Sequence, residues 1–314
     1  MSDNKLEMRF DPQTVRHLGL KMYSHLPAAL AEIISNSYDA YARRVGLILK
    51  SDGKKPSSIT ITDDGIGLTF DEINEKFLVI GRNRREDEKP STPPPFDRKP
   101  TGKKGLGKLA LFGVARTITI ETVKDGYLNE FVLDYADLLE TKGAAYSPKT
   151  IQVNVKSTKA NGTKVTLTNL KRKSQFDTEG LIDSLSRIFI FDDNFQLAVA
   201  SPSDEVTVIT NERKYATLDK QFFWKVEEFD QVKDGPLTYK GITGELFTTI
   251  KPIPAGSGLR GITLYSRGKL VNAPDYFTNS ASSHFYSYLS GWINVDFIDD
   301  MEEDVISTNR QSLV

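Results

Sequence analysis

The chain has 314 residues and no cysteine, and its 41 Lys and Arg nearly balance its 42 Asp and Glu. This length is enough for two domains with their own cores, and the missing cysteine excludes disulfides and thiolate metal sites. The net charge of -1 gives no overall attraction for nucleic acid or acidic membranes, although a local basic patch is compatible with it. No apolar run approaches the roughly 18 residues of a membrane span, so we expect a cytoplasmic protein without membrane contact.

The N-terminal part predicts helices and one short strand. Helices are predicted in residues 10–23 and 26–45, where Pro27 suits the first turn of the second helix. The sequence SSITITDDGIG, residues 57–67, alternates as a strand does and ends in an acidic, glycine-rich turn. The next helix, in TFDEINEKFLVI, is predicted to begin after Thr69 as its N-cap.

Residues 82–107 form a charged, proline-rich stretch without hydrophobic periodicity. A loop this long inside a compact domain is typical of a functional lid. From Gly107 onward the sequence KLALFGVA predicts a helix, so glycines stand at its N-terminus. Strands are then predicted in TITIETV, NEFVLDY, IQVNV and TKVTLTNL.

The composition changes near Lys171, where we place a boundary between domains of residues 1–170 and 171–314. The second domain begins with a predicted helix, FDTEGLIDSLSRIFIF. Most of the remainder predicts strands, in FQLAVA, EVTVIT, FFWKVEEF, GELFTTI, GITLYSRGKLV and GWINVDFI. The chain stops at STNRQSLV as though a longer protein had been cut there, so we expect further protein beyond residue 314.

Polar residues share one side of the predicted helix 26–45. Four of them lie within about 60° of one another: Glu32, Asn36, Asp39 and Arg43. The opposite side is mainly apolar: Leu30, Ile33, Ile34, Ser37 and Tyr41. A solvated stripe on an amphipathic helix would explain this pattern. However, an amide between two acids also suits a divalent cation with phosphates, because its oxygen binds Mg²⁺ without adding charge, and a carboxylate four residues earlier can orient water.

The stretch TDDGIGL places Asp63 at a predicted strand end, followed by Gly65 and Gly67. A carboxylate held there can accept a hydrogen bond from the exocyclic amine of adenine, whereas guanine has a carbonyl at that ring position. An ordinary acidic turn is the alternative. Thr163, at the start of the last predicted strand, could offer its hydroxyl to a base.

The stretch GKKGLGKL, residues 102–109, resembles two phosphate-binding motifs without fitting either. Leu109 stands where a P-loop needs Ser or Thr for Mg²⁺, and no strand precedes the stretch as both motifs require. Both motifs bind phosphate through features that this stretch also has. Glycines at a helix N-terminus expose backbone N–H groups to an anion, and lysines add positive charge.

The order of these stretches resembles the motif set of the GHKL ATPases: E-x-x-x-N-x-x-D-A, D-x-G-x-G, a glycine-rich lid and G-T-x-V-x-L, from residue 32 to residue 167. This superfamily includes gyrase, the ninety-kilodalton heat-shock chaperone, histidine kinases, MutL and the microrchidia ATPases. The resemblance implies an α/β fold, a two-layer α+β sandwich in which helices cover a mixed sheet. It also implies that ATP lies between the sheet and the lid.

The resemblance implies a role for each motif residue. Glu32 would be the general base that activates the attacking water, and Asn36 would bind Mg²⁺. Asp63 would bind adenine, with Thr163 bonded to the base through water, and Asp39 would support the adenine pocket. The other implied nucleotide-binding residues are Gly65, Gly67, Gly102, Lys103, Lys104, Gly105, Leu106, Gly107 and Lys108.

The second half resembles the transducer domain of the chaperone branch, a smaller α/β domain. GITLYSRGKLV and then SGWINVDFIDDMEEDVISTNRQSL are similar to a stretch that ends in a catalytic loop. By this resemblance Arg310 would contact the γ-phosphate, with Gln311 beside it, and stabilise the transferring phosphoryl group. A surface arginine is the alternative.

The resemblance implies an Mg²⁺-dependent ATPase that dimerises on binding ATP and works as a chaperone-like or microrchidia-like clamp on a protein client. Three alternatives share the pocket. One is a DNA-associated clamp of the MutL or microrchidia type, in DNA metabolism or phage defence. Another is a histidine kinase, which the absence of a histidine beside an acid in a dimerisation helix disfavours. The third is a nucleotide sensor without turnover, which Glu32 disfavours.

Overall fold

The computed structural model describes residues 25–81, 96–101, 107–140, 146–237, 240–278 and 284–301, with Lys108 described by its backbone alone. Contacts divide the chain into two compact units. The first unit contains the residues up to Leu185 together with Phe191–Ile209, and the second contains Ser186–Ile190 together with the residues from Thr210 onward. The predicted helix at residues 10–23 lies outside the described residues.

The first unit is built on an eight-stranded mixed sheet. Its strands are β1 (Arg44–Asp52), β2 (Lys55–Asp63), β3 (Ala115–Lys124), β4 (Tyr127–Asp134), β5 (Lys149–Lys156), β6 (Gly162–Leu170), β7 (Gln196–Ala200) and β8 (Val206–Val208). Their order across the sheet is β5-β4-β3-β6-β2-β1-β7-β8. The β1–β7 pair is parallel and the other pairs are antiparallel. The expected mixed sheet is therefore confirmed.

Period-2 alternation explains why the central strands form and which face they bury. Leu47 pairs with Ile61 and Leu49 with Ile59, and all four side chains are fully or almost fully buried. Polar or half-exposed neighbours alternate with them. Strand β1 is a correction to the sequence analysis, which extended a helix to residue 45 and predicted no strand between this helix and β2.

Helix α1 spans Leu26–Asp39, with Pro27 in its first turn as predicted. It ends six residues before the predicted end, because Tyr41 adopts a left-handed conformation with φ of 61°. The N–H groups of Tyr41 and Ala42 bond to the carbonyls of Tyr38 and Ser37, the two bonds of a Schellman motif. Consequently Arg43 lies just before β1, beyond the end of the helix, so its predicted place on the same side of the helix as Glu32 was wrong.

Shorter helices follow. Helix α2 (Phe70–Glu72) runs into a π-helical turn (Ile73–Phe77). Thr69 caps α2 as predicted, because its hydroxyl accepts the N–H of Glu72 at 3.2 Å while the Glu72 carboxylate accepts the N–H of Thr69 at 2.9 Å. A 3₁₀ turn (Gly107–Ala110) precedes α3 (Leu111–Val114), and it begins at the glycine expected to start this helix. The later helices are α4 (Tyr135–Glu140), α5 (Thr178–Ile188) and α6 (Asp230–Lys233).

The second unit contains a five-stranded sheet. Its strands are β9 (Lys220–Lys225), β10 (Thr243–Thr249), β11 (Gly261–Ser266), β12 (Lys269–Leu270) and β13 (Leu289–Asn294), in the order β12-β11-β13-β10-β9. One buried cluster of this unit contains Tyr215, Phe247, Ile253 and Leu259, and another contains Val271, Val295 and Ile298.

Strands β7 and β8 lie beyond residue 170 and nevertheless pair with the first sheet. The first compact unit therefore extends to Ile209, and the domain boundary placed near residue 170 from composition stays a prediction. None of the helices in the described part of the chain is long and apolar enough to cross a membrane.

Candidate functional site

The site is centred on the carboxylate of Asp63, the last residue of β2. Its Oδ2 accepts the hydroxyl of Ser37 on α1 at 2.8 Å. Its Oδ1 accepts the N–H groups of Gly65 at 3.0 Å and of Thr163, on the neighbouring strand β6, at 3.1 Å. A carboxylate offers about four acceptor positions, so three donors hold this group in one orientation and leave about one position for a ligand.

Burial raises the pKa of Asp63, and the hydrogen bonds from Ser37, Gly65 and Thr163 only partly offset this effect. The next residue, Asp64, is more exposed and has the opposite behaviour. Although burial raises its pKa, hydrogen bonds from the backbone and side chain of Arg44 and from the backbone of Arg43 lower it overall. Two adjacent aspartates therefore differ in electrostatic environment, and the buried one faces the site.

The turn after Asp63 needs its glycines. A Cβ on Gly65 would lie 2.7 Å from the carbonyl oxygen of Ala40 at the end of α1. Gly67 has a left-handed φ of 68°, and a Cβ there would overlap the carbonyl oxygen of Val123 on β3. The turn is held at this position, because the N–H of Ile66 donates to the Ala40 carbonyl at 2.9 Å.

Thr163 and Thr122 form the side of the site made by β6 and β3. Their hydroxyl oxygens are 3.2 Å apart, and the Thr122 hydroxyl also accepts the N–H of Leu68 at 2.9 Å. Thr122 is fully buried, so it connects the turn after Asp63 to both strands. Thr163 was predicted from its motif, whereas Thr122 was not, because in the sequence it is one more polar residue of an alternating strand.

Glu32, Asn36 and Asp39 lie half-exposed on one side of α1, as predicted, while Ile33, Ile34 and Ser37 are buried. Ser37 was placed only on the apolar side of the helix, and its bond to Asp63 was missed. Asp39 Oδ1 accepts the N–H of Thr101 at 2.7 Å and its hydroxyl at 2.9 Å. This contact joins Asp39 to the segment that precedes the glycine-rich stretch.

Gly107 lies against Glu32. A Cβ on Gly107 would overlap Oε2 of Glu32 and come within 3.1 Å of its Cβ, so a larger residue here would displace the Glu32 carboxylate. The structure thus brings Gly107, Glu32 and the Asn36 face of α1 together. Several predicted residues lie outside the described part of the chain: Gly102, Lys103, Lys104, Gly105, Leu106 and Arg310. The side chain of Lys108 is also outside it.

The donor set suits Mg²⁺ held together with phosphates. Within the described residues there is no group of three His, Cys, Asp or Glu side chains that could hold a metal by themselves. Mg²⁺ usually keeps several waters and takes one or two protein ligands plus substrate phosphates. Asn36, with Glu32 one turn earlier, fits such an ion.

Comparisons with known proteins find one family and several relatives. Residues 23–169 match the family described as histidine kinase-, DNA gyrase B- and HSP90-like ATPases. A candidate type II restriction enzyme, HgiDII of Herpetosiphon aurantiacus, is 28% identical over 338 aligned residues, which cover 100% of this chain and 53% of that protein.

Chaperone proteins named HtpG match over shorter regions. HtpG of Alkalilimnicola ehrlichii is 28% identical over 54% of this chain and 28% of its own length. HtpG of Gluconobacter oxydans is 30% identical over 33% of this chain and 20% of its own length. The chain therefore spans about half the length of the first relative and less of the chaperones.

Replacing Gly67 by Ala should destabilise the protein more than the same change at Gly53. Both glycines are left-handed, but a Cβ at Gly53 meets nothing within 4 Å. The Gly53→Ala change should cost about 1–2 kcal/mol for the backbone conformation alone. The overlap at Gly67 should add roughly 1–3 kcal/mol. Urea unfolding of both variants measures this difference, and equal losses would contradict the close approach to Val123.

The Asp63→Asn variant should be at least as stable as the native chain at neutral pH. The oxygen of an Asn side chain can accept the N–H groups of Gly65 and Thr163, and its NH₂ group can donate to the hydroxyl oxygen of Ser37. The Ser37 hydroxyl can then donate to the carbonyl of Ile33, which lies 3.3 Å away. Because the folded pKa of Asp63 is raised, its contribution to stability falls as pH rises above the ordinary value of 3.8. The advantage of Asn should therefore vanish below this pH.

Asp64→Asn is the matched control for this measurement, with the opposite sign. The folded pKa of Asp64 is lowered, so its contribution is present above the ordinary value of 3.8 and is lost as pH falls through the folded pKa. This variant should be less stable than the native chain at neutral pH. Thermal unfolding from pH 3 to pH 8 compares the stability of the three proteins. If both variants changed stability in the same direction at neutral pH, the opposite pKa shifts of Asp63 and Asp64 would be contradicted.

Proposed function

Because this chain belongs, through residues 23–169, to the family of histidine kinase-, DNA gyrase B- and HSP90-like ATPases, we propose that it binds ATP with Mg²⁺ and hydrolyses it. The observation that carries the proposal is the carboxylate of Asp63. Three donors orient it and leave about one acceptor position. The exocyclic amine of adenine is a donor that fits this position, whereas the carbonyl of guanine would meet a second acceptor.

Helix α1 would supply the residues on the phosphate side of the site. Asn36 would bind Mg²⁺ through its amide oxygen, and the ion would neutralise phosphate charge when bound. Glu32 would accept a proton from the attacking water, one turn away from Asn36. The glycines and lysines between Gly102 and Lys108 would surround the triphosphate as a lid, and Arg310 would stabilise the transferring phosphoryl group.

Two features of the family extend the proposal to the whole chain. The second half, from about residue 171, would serve as a transducer domain that senses the γ-phosphate. ATP binding would then bring two copies of the chain together as a clamp, with chaperone-like or microrchidia-like work performed in the longer protein. A histidine kinase is less consistent with the sequence, because none of the three histidines has an acidic residue beside it.

A DNA-associated clamp is the second candidate function, and the extent of similarity favours it. The two HtpG relatives described above match 54% and 33% of this chain, shares that the common ATP-binding domain largely explains. The restriction-enzyme relative instead matches along 100% of it, including the second unit. If the second unit couples ATP to the task of the longer protein, this similarity supports a DNA-associated function as the second candidate.

Glu32→Gln should lower kcat for ATP by at least about a hundredfold, because it removes the proton acceptor for the attacking water. The affinity for ATP should change only a few-fold, since the amide keeps the shape of the side chain. Steady-state hydrolysis and calorimetry measure the two quantities. Glu75→Gln, at an exposed position of the π-helical turn, is the control and should behave as the native chain. Retained turnover in Glu32→Gln would rule out this base.

Duplex DNA should stimulate ATP turnover if the DNA-associated function is right. The stimulation should fall steeply as salt rises, because binding to phosphates releases counterions. Turnover of the full-length protein is measured with DNA and, separately, with an unfolded polypeptide, from about 50 to 200 mM salt. Stimulation by the polypeptide and none by DNA would favour the chaperone-like function instead.

A further inference from the structure

Three side chains lie side by side across the strands β2, β6 and β3. In the register of the sheet, Asp63 is opposite Thr163, and Thr163 is opposite Thr122. Residues directly opposite one another share a face of the sheet. Thr163 is half-exposed and Thr122 is fully buried. Thr163 therefore lies between the carboxylate that is proposed to read the base and a buried hydroxyl.

The hydroxyl of Thr122 has three polar neighbours. Its oxygen accepts the N–H of Leu68 at 2.9 Å. The same oxygen lies 3.3 Å from the carbonyl oxygen of Gly162 and 3.2 Å from the hydroxyl oxygen of Thr163. A hydroxyl has one proton to donate and two positions at which it accepts. Three neighbours therefore use its full hydrogen-bonding capacity when each takes a different one of these positions.

Only one arrangement of the protons satisfies all three neighbours. The N–H of Leu68 can only donate and the carbonyl of Gly162 can only accept, so the proton of Thr122 points to Gly162. The remaining position of Thr122 accepts, and Thr163 fills it by donating its own proton. In the reverse arrangement Thr122 donates to Thr163 and loses its bond to Gly162. An acceptor position of a fully buried hydroxyl then stays unused, which costs free energy.

This arrangement decides what Thr163 offers to a ligand. Its hydroxyl proton is directed to Thr122, so its oxygen can only accept from the site. Its backbone N–H is occupied as well, because Oδ1 of Asp63 accepts it at 3.1 Å. Asp63 and Thr163 thus present two acceptors side by side, one charged and one neutral.

Two adjacent acceptors discriminate between an amine and a carbonyl at the same ring position. An exocyclic amine has two N–H groups and can donate to both acceptors. A carbonyl would face lone pairs on both residues and would find a donor on neither. If the hydroxyl of Thr163 could turn freely, it would instead donate to the carbonyl and weaken the discrimination. Rejecting the wrong ligand in this way is a common source of specificity.

We propose that Thr122 is a positioning residue that determines base specificity, a role that rests on the proposed function. It acts through Thr163, whose hydroxyl it fixes as a second acceptor beside Asp63. The buried threonine therefore strengthens the preference for a base with an amine over a base with a carbonyl. A merely structural role is the alternative, because Thr122 also holds the turn after Asp63 through the N–H of Leu68.

The test measures the affinities for ATP and for inosine triphosphate, both with Mg²⁺, in variants of the buried threonine. Thr122→Val and Thr122→Cys remove the hydroxyl at nearly constant size, whereas Thr122→Ser keeps it. Thr119→Val is the matched control, because Thr119 is half-exposed on the opposite face of the same strand. Thr163→Val, alone and combined with Thr122→Val, shows whether Thr122 acts through Thr163. Calorimetry measures ATP, competition measures inosine triphosphate, and thermal unfolding confirms that each variant folds.

Thr122→Val and Thr122→Cys should raise the affinity for inosine triphosphate at least about threefold, because the Thr163 hydroxyl becomes free to donate to its carbonyl. Their affinity for ATP should stay within about twofold of the native value. Thr122→Ser and Thr119→Val should match the native chain for both ligands. Thr163→Val and the double variant should show no rise for inosine triphosphate, because neither has a hydroxyl at residue 163.

A merely structural role predicts the opposite result, since a disturbed turn weakens the binding of both ligands. An unchanged or lower affinity for inosine triphosphate in folded Thr122→Val and Thr122→Cys would therefore overturn the proposal. A rise in the double variant would overturn it too, because Thr122 would then act without Thr163. Equal binding of the two nucleotides by the native chain would leave no selectivity for Thr122 to set and would also overturn it. Failure of the native chain to bind ATP would instead overturn the proposed function.

Discussion

The orientation of one buried carboxylate is the constraint on which the rest of the site depends. Asp63 is oriented by a helix, a turn and a neighbouring strand at once, through Ser37, Gly65 and Thr163. Burying an acid costs free energy, and the raised pKa of Asp63 expresses that cost. A fold that retains such a group keeps an acceptor with a fixed direction, which is what discrimination between purine bases requires.

Helix α1 connects this acceptor to the phosphate end of the site. Its buried side carries Ser37, which reaches Asp63, and its half-exposed side carries Glu32, Asn36 and Asp39. At the end of the helix the Schellman motif turns the chain into β1, and Arg98 bonds to the carbonyls of Tyr38 and Ala42. Asp63 on β2 and the proposed phosphate-facing groups of α1 are therefore joined through a single side chain of the helix, Ser37.

Sequence reasoning identified the residues whose chemistry is local and missed those whose partners are distant. The acid and amide on α1, the glycines after Asp63 and the Thr69 cap can all be predicted from spacing and residue type. The early end of α1 could not, because a tyrosine rarely adopts the left-handed conformation found at Tyr41. Arg98 was also missed, since its partners are backbone carbonyls that no side-chain pattern reveals.

The most direct test of the account is a comparison of ATP with inosine triphosphate by calorimetry in the presence of Mg²⁺. The two ligands have the same sugar and phosphates, and inosine carries a carbonyl where adenine carries its exocyclic amine. The account predicts binding of ATP and a loss for inosine triphosphate of at least about a hundredfold, because a carbonyl would face a carboxylate that can only accept. Equal affinities would contradict the assignment of Asp63 as the group that reads the base.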